Sequence, residues 1–168
     1  ITHRTAGVVL ETIQGGAGFI TPENDYLAKV KKRCEEVGAL LILDEIQPGF
    51  GRTGTLFGFQ NYNVVPDIIA IGKGMASGLP CGAFVASYEL MHLLADKPKM
   101  SHITTFGGNP VVAAASLATL RELISTDLMA QTLEKEQLFR KLLRHPKIKA
   151  VHGKGLMLAA IMEDEDLA

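Results

Sequence analysis

The chain has 168 residues, with 17 Lys and Arg against 18 Asp and Glu and a formal net charge of −1 at pH 7. No basic excess points to nucleic acid or to an anionic membrane surface. With 47% hydrophobic and 21% charged residues the composition is globular rather than disordered, and the length allows one domain with a real core.

The longest nearly apolar run, 111–120, is about half of the roughly 20 residues a bilayer crossing needs. No basic-then-apolar leader stands at the start, and Cys34 and Cys81 lie far apart with neither a CxxC pattern nor a His at ligand spacing. The expectation is a soluble, cytoplasmic protein with reduced, partly buried thiols, no disulfide framework and no metal site. A start at Ile1 without Met and a stop just after an apolar stretch are how an excised piece would look, so a partial segment is expected.

Residues 7–10 are a short apolar, β-branched run emptying into Glu11, Gln14, Gly15, Gly16 and Gly18, the pattern of a buried strand that meets a loop. Thr21 and Pro22 suit the cap and first position of a helix. Tyr26, Leu27, Val30, Cys34 and Val37 continue it at helical spacing, and Gly38 supplies the stop. Residues 39–43 are apolar throughout, as in a strand covered on both faces, so strand, helix and strand predict a right-handed parallel crossover.

Residues 67–71 read as a third strand and 83–86 as a fourth. The Gly-rich connection 72–82 is too short for a helical crossover, which predicts that the fourth strand runs antiparallel. Ser87 caps a helix to about Ala95, and Asn109 and Pro110 open an Ala-rich one to about Ile124. Asp127 caps another to about Leu143, with Leu128, Leu133, Phe139, Leu142 and Leu143 as its apolar side. Residues 148–151 and 156–162 read as two strands joined at Gly153-Lys154-Gly155, the start of a second subdomain. No internal repeat or low-complexity linker interrupts the chain.

The segment ALLILDEIQPGFGRTG, residues 39–54, puts Asp44 and Glu45 at the C-terminal end of an apolar strand, where ligands bind in open α/β sheets. An apolar strand ending in Asp-Glu also fits a nucleotide hydrolase, but the required GxxxxGK[ST] loop is missing: Gly74 stands where Ser or Thr should bind magnesium, and Asp67 where the first glycine should be. Residues 49–54 satisfy GxGxxG, yet two acids separate strand from glycines and no long helix follows, which excludes the dinucleotide reading.

Lys73 follows a strand and sits between Gly72 and Gly74, with Met75 and Ala76 next. A loop lysine is ordinarily a solvated surface charge, but in a largely apolar setting desolvation disfavours the ammonium form and yields a nucleophile for carbonyl carbon. Asp44 and Lys73 end neighbouring predicted strands and so could face one pocket. An aldehyde cofactor uses both groups, a lysine for the Schiff base and an Asp to keep the pyridine nitrogen protonated.

The order Glu11 with Gln14-Gly15, then Asp44-Glu45-Ile46-Gln47 with 49–54, then Ile71-Gly72-Lys73-Gly74, then Thr104-Thr105-Phe106-Gly107-Gly108-Asn109-Pro110 resembles the class III, or subgroup II, aminotransferases. These are the ornithine, acetylornithine and 4-aminobutyrate type, of fold type I among pyridoxal-phosphate enzymes. The resemblance runs through essentially the whole chain and implies an α/β large domain with a mostly parallel sheet, one antiparallel strand and helices on both faces. Residues 1–125 would belong to that domain and 126–168 would start a C-terminal α+β domain.

By the same resemblance, Lys73 is the Schiff-base lysine and the base that moves the substrate proton. Asp44 pairs with the pyridinium nitrogen of pyridoxal 5'-phosphate, Ile46 packs on its ring and Gln47 bonds the phenolic oxygen. Thr105, helped by Thr104, binds the cofactor phosphate of the other subunit of a homodimer with shared sites. Glu11 belongs to a polar network that adjusts substrate access. For Thr104 and Thr105, a plain lead-in to the helix at Asn109-Pro110 is the alternative.

Thr12 and Gly16 depart from the family motif, which commonly has Pro and Glu there, and His152 stands where Arg is frequent. The family's Ser/Gly-rich phosphate loop, its stacking aromatic residue and its carboxylate-gripping arginine cannot be located in the chain. The implied reaction transfers an amino group from an amino acid or ω-amine, ornithine or acetylornithine in type, to 2-oxoglutarate, with this segment alone inactive. The alternatives are a racemase or aminomutase of the same fold, or a non-catalytic folded fragment that self-associates through an exposed sheet edge.

Overall fold

The computed structural model describes residues 1–96 and 102–164. Strands β1 (Gly7–Glu11), β2 (Leu40–Asp44), β3 (Ile68–Gly72) and β4 (Gly82–Ala86) form one sheet in the order β1-β2-β3-β4. The first three run parallel and β4 pairs antiparallel to β3, as the short connection demands. The helices are α1 (Tyr26–Val37), α2 (Tyr88–Asp96), α3 (Pro110–Ser125) and α4 (Leu128–Leu142). Strands β5 (Ile148–Lys154) and β6 (Met157–Met162) make a separate antiparallel hairpin.

The core lies between α1 and the sheet. Leu27, Cys34 and Val37 pack on Ala39, Leu41 and Leu43, with Tyr62 and Val64 closing one side. Along β2 burial alternates, Leu41 and Leu43 being fully buried while Leu40, Ile42 and Asp44 are half-buried. Both faces carry apolar side chains, but one is the denser core face. Helix α1 stops at Gly38, whose left-handed backbone lets its N–H and that of Ala39 reach the last carbonyls.

The predicted start of this helix at Thr21 and Pro22 is incorrect. Ile20 is held in a bridge to Gln14, and residues 21–25 serve as a lead-in that turns through a Tyr26 N–H bond to the Glu23 carbonyl. The helix then begins after Asp25. Helices α2 and α3 start where predicted. The Ser87 hydroxyl accepts from Leu90 N–H and the Asn109 side chain from Val111 and Val112 N–H. Asp127 occupies the N-cap of α4, but its carboxylate accepts from the Gln131 amide instead of the backbone.

Of the predicted apolar side of α4, Leu133 touches Gly54, but the side as a whole is not buried. Leu128, Leu133, Phe139 and Leu142 are exposed, Leu143 is half-buried, and the docking stripe is Thr132, Glu136 and Arg140 at i, i+4 and i+8. The Thr132 hydroxyl donates to the Gly51 carbonyl, Glu136 accepts from Gly155 N–H, and Arg140 donates to the carbonyls of Val151 and Gly153. Groups that need partners in a tight turn select this stripe over the leucines.

Asp67 closes the join of β2 and β3. It accepts from Leu41 N–H at 2.8 Å and from Lys31 Nζ at 2.7 Å. Burial works against its ionised form, but the Lys31 hydrogen bond and charge and the Leu41 N–H outweigh it and hold the carboxyl below its ordinary range. Stability drawn from such a group is present above the ordinary carboxylate pKa and is lost as pH falls through the depressed native value. Asp67→Asn should therefore cost the full-length protein about 1–2 kcal/mol at neutral pH. Urea denaturation across the acid range should show that difference shrinking toward zero.

Candidate active site

The C-terminal ends of β1, β2 and β3 lie side by side, and each ends at a residue singled out by its chemistry. Glu11 pairs with Asp44 in the β1–β2 register, and Asp44 pairs with Ala70, so that Lys73 stands just past the end of the next strand. Asp44 Oδ1 accepts from Ile46 N–H at 2.9 Å, a local turn that starts the chain's exit from the sheet.

Glu11 accepts from Gly15 N–H at 2.9 Å. A side chain at Gly15 would collide with the Gln47 amide, so Glu11, Gly15 and Gln47 form one polar group. Ile46 lies against Gly72 and lines a cavity of about 800 Å3 with Ala70, Ile71, Phe84, Ile103 and Thr104. The structure thus gathers Ile46 with Thr104 and Gln47 with Glu11. Thr105 is exposed beside Thr104, in the turn that leads to Asn109.

Lys73 faces elsewhere. It lines a groove of about 680 Å3 with Phe50, Arg52, Ser77, Leu79 and Thr119. The expectation that apolar neighbours desolvate it does not hold for this chain: Ile71 and Gly72 are buried, but the backbone swings into a short 3-10 turn at Lys73 and leaves it exposed. That swing puts Lys73 at φ +43°, a left-handed conformation that costs a residue with a Cβ roughly 1–2 kcal/mol. Strain of this kind collects at functional positions.

Sequence reasoning placed Glu45 beside Asp44 as a second carboxylate at the strand end, but the two point to opposite faces. Glu45 is fully buried, on the side of Leu41 and Leu43. It accepts from the Thr12 hydroxyl at 2.5 Å, from Gly58 N–H at 2.7 Å and from Phe59 N–H at 2.9 Å. Burial pushes its carboxyl above the ordinary range, while these three donors pull it back. The two-residue periodicity of 41, 43 and 45 is the signal that could have found it. Thr12, noted as a departure from the motif, is the donor from the β1 exit.

Residues 49–54, the GxGxxG stretch, are the turn on which the C-terminal segment docks. Leu156 N–H donates to the Arg52 carbonyl at 2.9 Å, and Gly155 sits against Arg52 and Thr53 so closely that no side chain fits. The excluded dinucleotide reading stays excluded, since only the short turn Gly58–Tyr62 follows.

A largely parallel sheet with an antiparallel strand beside it, and a lysine and carboxylates at its strand ends, is the architecture of part of a fold type I aminotransferase. Residues 1–167 match the Aminotransferase class-III family, and the chain belongs to that family.

Among solved structures, an ornithine aminotransferase from Toxoplasma gondii with PLP in partial occupancy at its active site is 34% identical. Its TM-score is 0.89, over 98% of this chain and 39% of that one. An (S)-enantioselective omega-transaminase from Thermomicrobium roseum is 36% identical with a TM-score of 0.83, over 95% and 37%. A Bacillus anthracis aminotransferase is 35% identical with a TM-score of 0.83, over 96% and 38%. The chain therefore spans 37% to 39% of the length of these relatives.

Gly49 donates to the Glu45 carbonyl, and a Cβ built on it would come within 2.6 Å of that same oxygen. Gly49→Ala should destabilise the full-length protein by about 1–3 kcal/mol through this backbone clash. Thermal unfolding beside the wild type would measure the loss.

Proposed function

We propose that the full-length protein is a pyridoxal-phosphate-dependent aminotransferase that moves an amino group from an amino acid or ω-amine, ornithine or acetylornithine in type, to 2-oxoglutarate. The observation that carries this reading is the placement of Asp44 and Lys73 at the C-terminal ends of adjacent parallel strands, with Lys73 held in a strained backbone. Membership of the class III family and likeness to an ornithine aminotransferase and an omega-transaminase support it.

Asp44, Ile46 and Gln47 would suit the cofactor, and the exposed Lys73, which lines a different groove, would turn its side chain toward them to reach it. Pyridoxal phosphate, when bound, supplies an electron sink for the bonds broken at the substrate's α-carbon. Asp44 would hold a proton on the ring nitrogen through Oδ2, since Oδ1 is engaged by Ile46 N–H. Ile46 offers an apolar surface beside Gly72, where a flat ring can pack. The Gln47 amide would donate to the phenolic oxygen, and the Thr104 and Thr105 hydroxyls would bind phosphate across a homodimer interface.

Lys73 Nζ would anchor the cofactor covalently and, once released, accept and return the substrate proton. Glu11, bonded to Gly15 N–H and close to Gln47, would order the polar approach to the ring. The free thiols of Cys34 and Cys81 favour the cytoplasm, and among the described residues no helix is long and apolar enough to cross a membrane.

The division into residues 1–125 as part of the large domain and 126–168 as the beginning of the C-terminal one is supported by the two separate sheets. Lys73→Ala in the full-length protein should lower transamination by roughly ten-thousandfold or more, the loss expected for a nucleophile and proton carrier in one group. Because Lys73 is exposed, its circular dichroism and melting temperature should stay near wild type. Glutamate formation from 2-oxoglutarate gives the rate, and substantial turnover by the variant would contradict the assignment.

A further inference from the structure

Thr12, Glu45, Gly58 and Phe59 form a closed polar cluster on the core side of the strand ends, directly behind the residues assigned to the cofactor. Glu45 has no exposure, and its two carboxylate oxygens accept three hydrogen bonds from two different parts of the chain. Thr12 brings in the exit of β1, and Gly58 and Phe59 bring in the loop that returns toward β3. Its own backbone is fixed as well, since Glu45 N–H donates to the Ala70 carbonyl at 2.8 Å and its carbonyl accepts from Gly49 N–H at 3.0 Å.

We propose that Glu45, held by Thr12, is a positioning residue for pyridoxal phosphate that sets the turn Asp44-Glu45-Ile46-Gln47 so that Asp44, Ile46 and Gln47 meet the cofactor together. This rests on the cofactor reading above. Because successive residues of an extended strand point to opposite faces, anchoring residue 45 inward fixes residue 44 outward. The Asp44 bond to Ile46 N–H spans that same anchored residue.

A carboxylate suits the task and an amide does not. Every partner of Glu45 is a donor, so a Gln amide would turn an N–H onto Gly58 N–H in one orientation and onto Phe59 N–H in the other. The buried donor left unpaired is costly, and the turn relaxes to satisfy it.

The test uses full-length protein with Glu45→Gln, Thr12→Val and Thr12→Ser, reading pyridoxal phosphate affinity by titration and the induced circular dichroism of the bound cofactor. Glu45→Gln and Thr12→Val should each bind the cofactor roughly tenfold more weakly, the usual loss when a group behind a direct ligand is removed, and should change the induced signal. Thr12→Ser, which keeps the hydroxyl, should restore both. Should Glu45→Gln fail to fold, the contrast between Thr12→Val and Thr12→Ser decides the question. Variants that melt earlier yet bind the cofactor with wild-type affinity and wild-type signal would overturn the proposal. Wild-type protein that takes up no pyridoxal phosphate would instead sink the cofactor reading beneath it.

Discussion

A carboxylate sealed inside the protein organises the end of the sheet. Burying a carboxyl group is costly unless its oxygens find donors, and Glu45 meets that demand by drawing Thr12, Gly58 and Phe59 toward itself. The result is a junction at which the β1 exit, the β2 exit and the loop after the glycine turn cannot move independently. The parallel register of Glu11 with Asp44 is stiffened from behind by a contact between the residues that follow each of them.

Consequences spread outward from that junction. The Glu45 carbonyl starts the turn at Gly49, and the turn presents the carbonyls of Gly51 and Arg52 to Thr132 and Leu156. Helix α4 therefore approaches with its polar stripe inward, and Glu136 and Arg140 clamp the loop of the β5–β6 hairpin. Buried carboxylate, glycine turn and C-terminal hairpin form one mechanical series. On the far side, the sheet ends leave Asp44 facing out and hold Lys73 in a backbone conformation that L-residues resist.

Much of this is legible in the sequence, for reasons that can be named. The apolar run at 39–43 and the short glycine-rich link at 72–82 admit few geometries, so the strands of the main sheet and the antiparallel turn of β4 follow from length and polarity alone. Asn109-Pro110 and Gly38 mark helix ends through local chemistry that no distant contact overrides. The start of α1 is misread because Ile20 is captured by Gln14, a contact that propensity cannot see. The inward face of α4 is misread because polar backbone groups of remote turns choose the stripe.

At the site, residue types and their order reveal Glu11, Asp44 and Lys73, while the roles of neighbours depend on which way a side chain points. Glu45 reads as a second carboxylate at the ligand-binding strand end until strand alternation is applied, and Thr12 reads as a mere departure until its hydroxyl is seen against Glu45. The exposure of Lys73 likewise follows from one backbone angle and not from the hydropathy of the residues around it.

The most direct measurement is to bind pyridoxal phosphate to the full-length protein, reduce with borohydride and map the modified peptide by mass spectrometry. The account predicts one label per chain, on Lys73. Labelling scattered over other exposed lysines such as Lys29 and Lys32, or none at all, would contradict it.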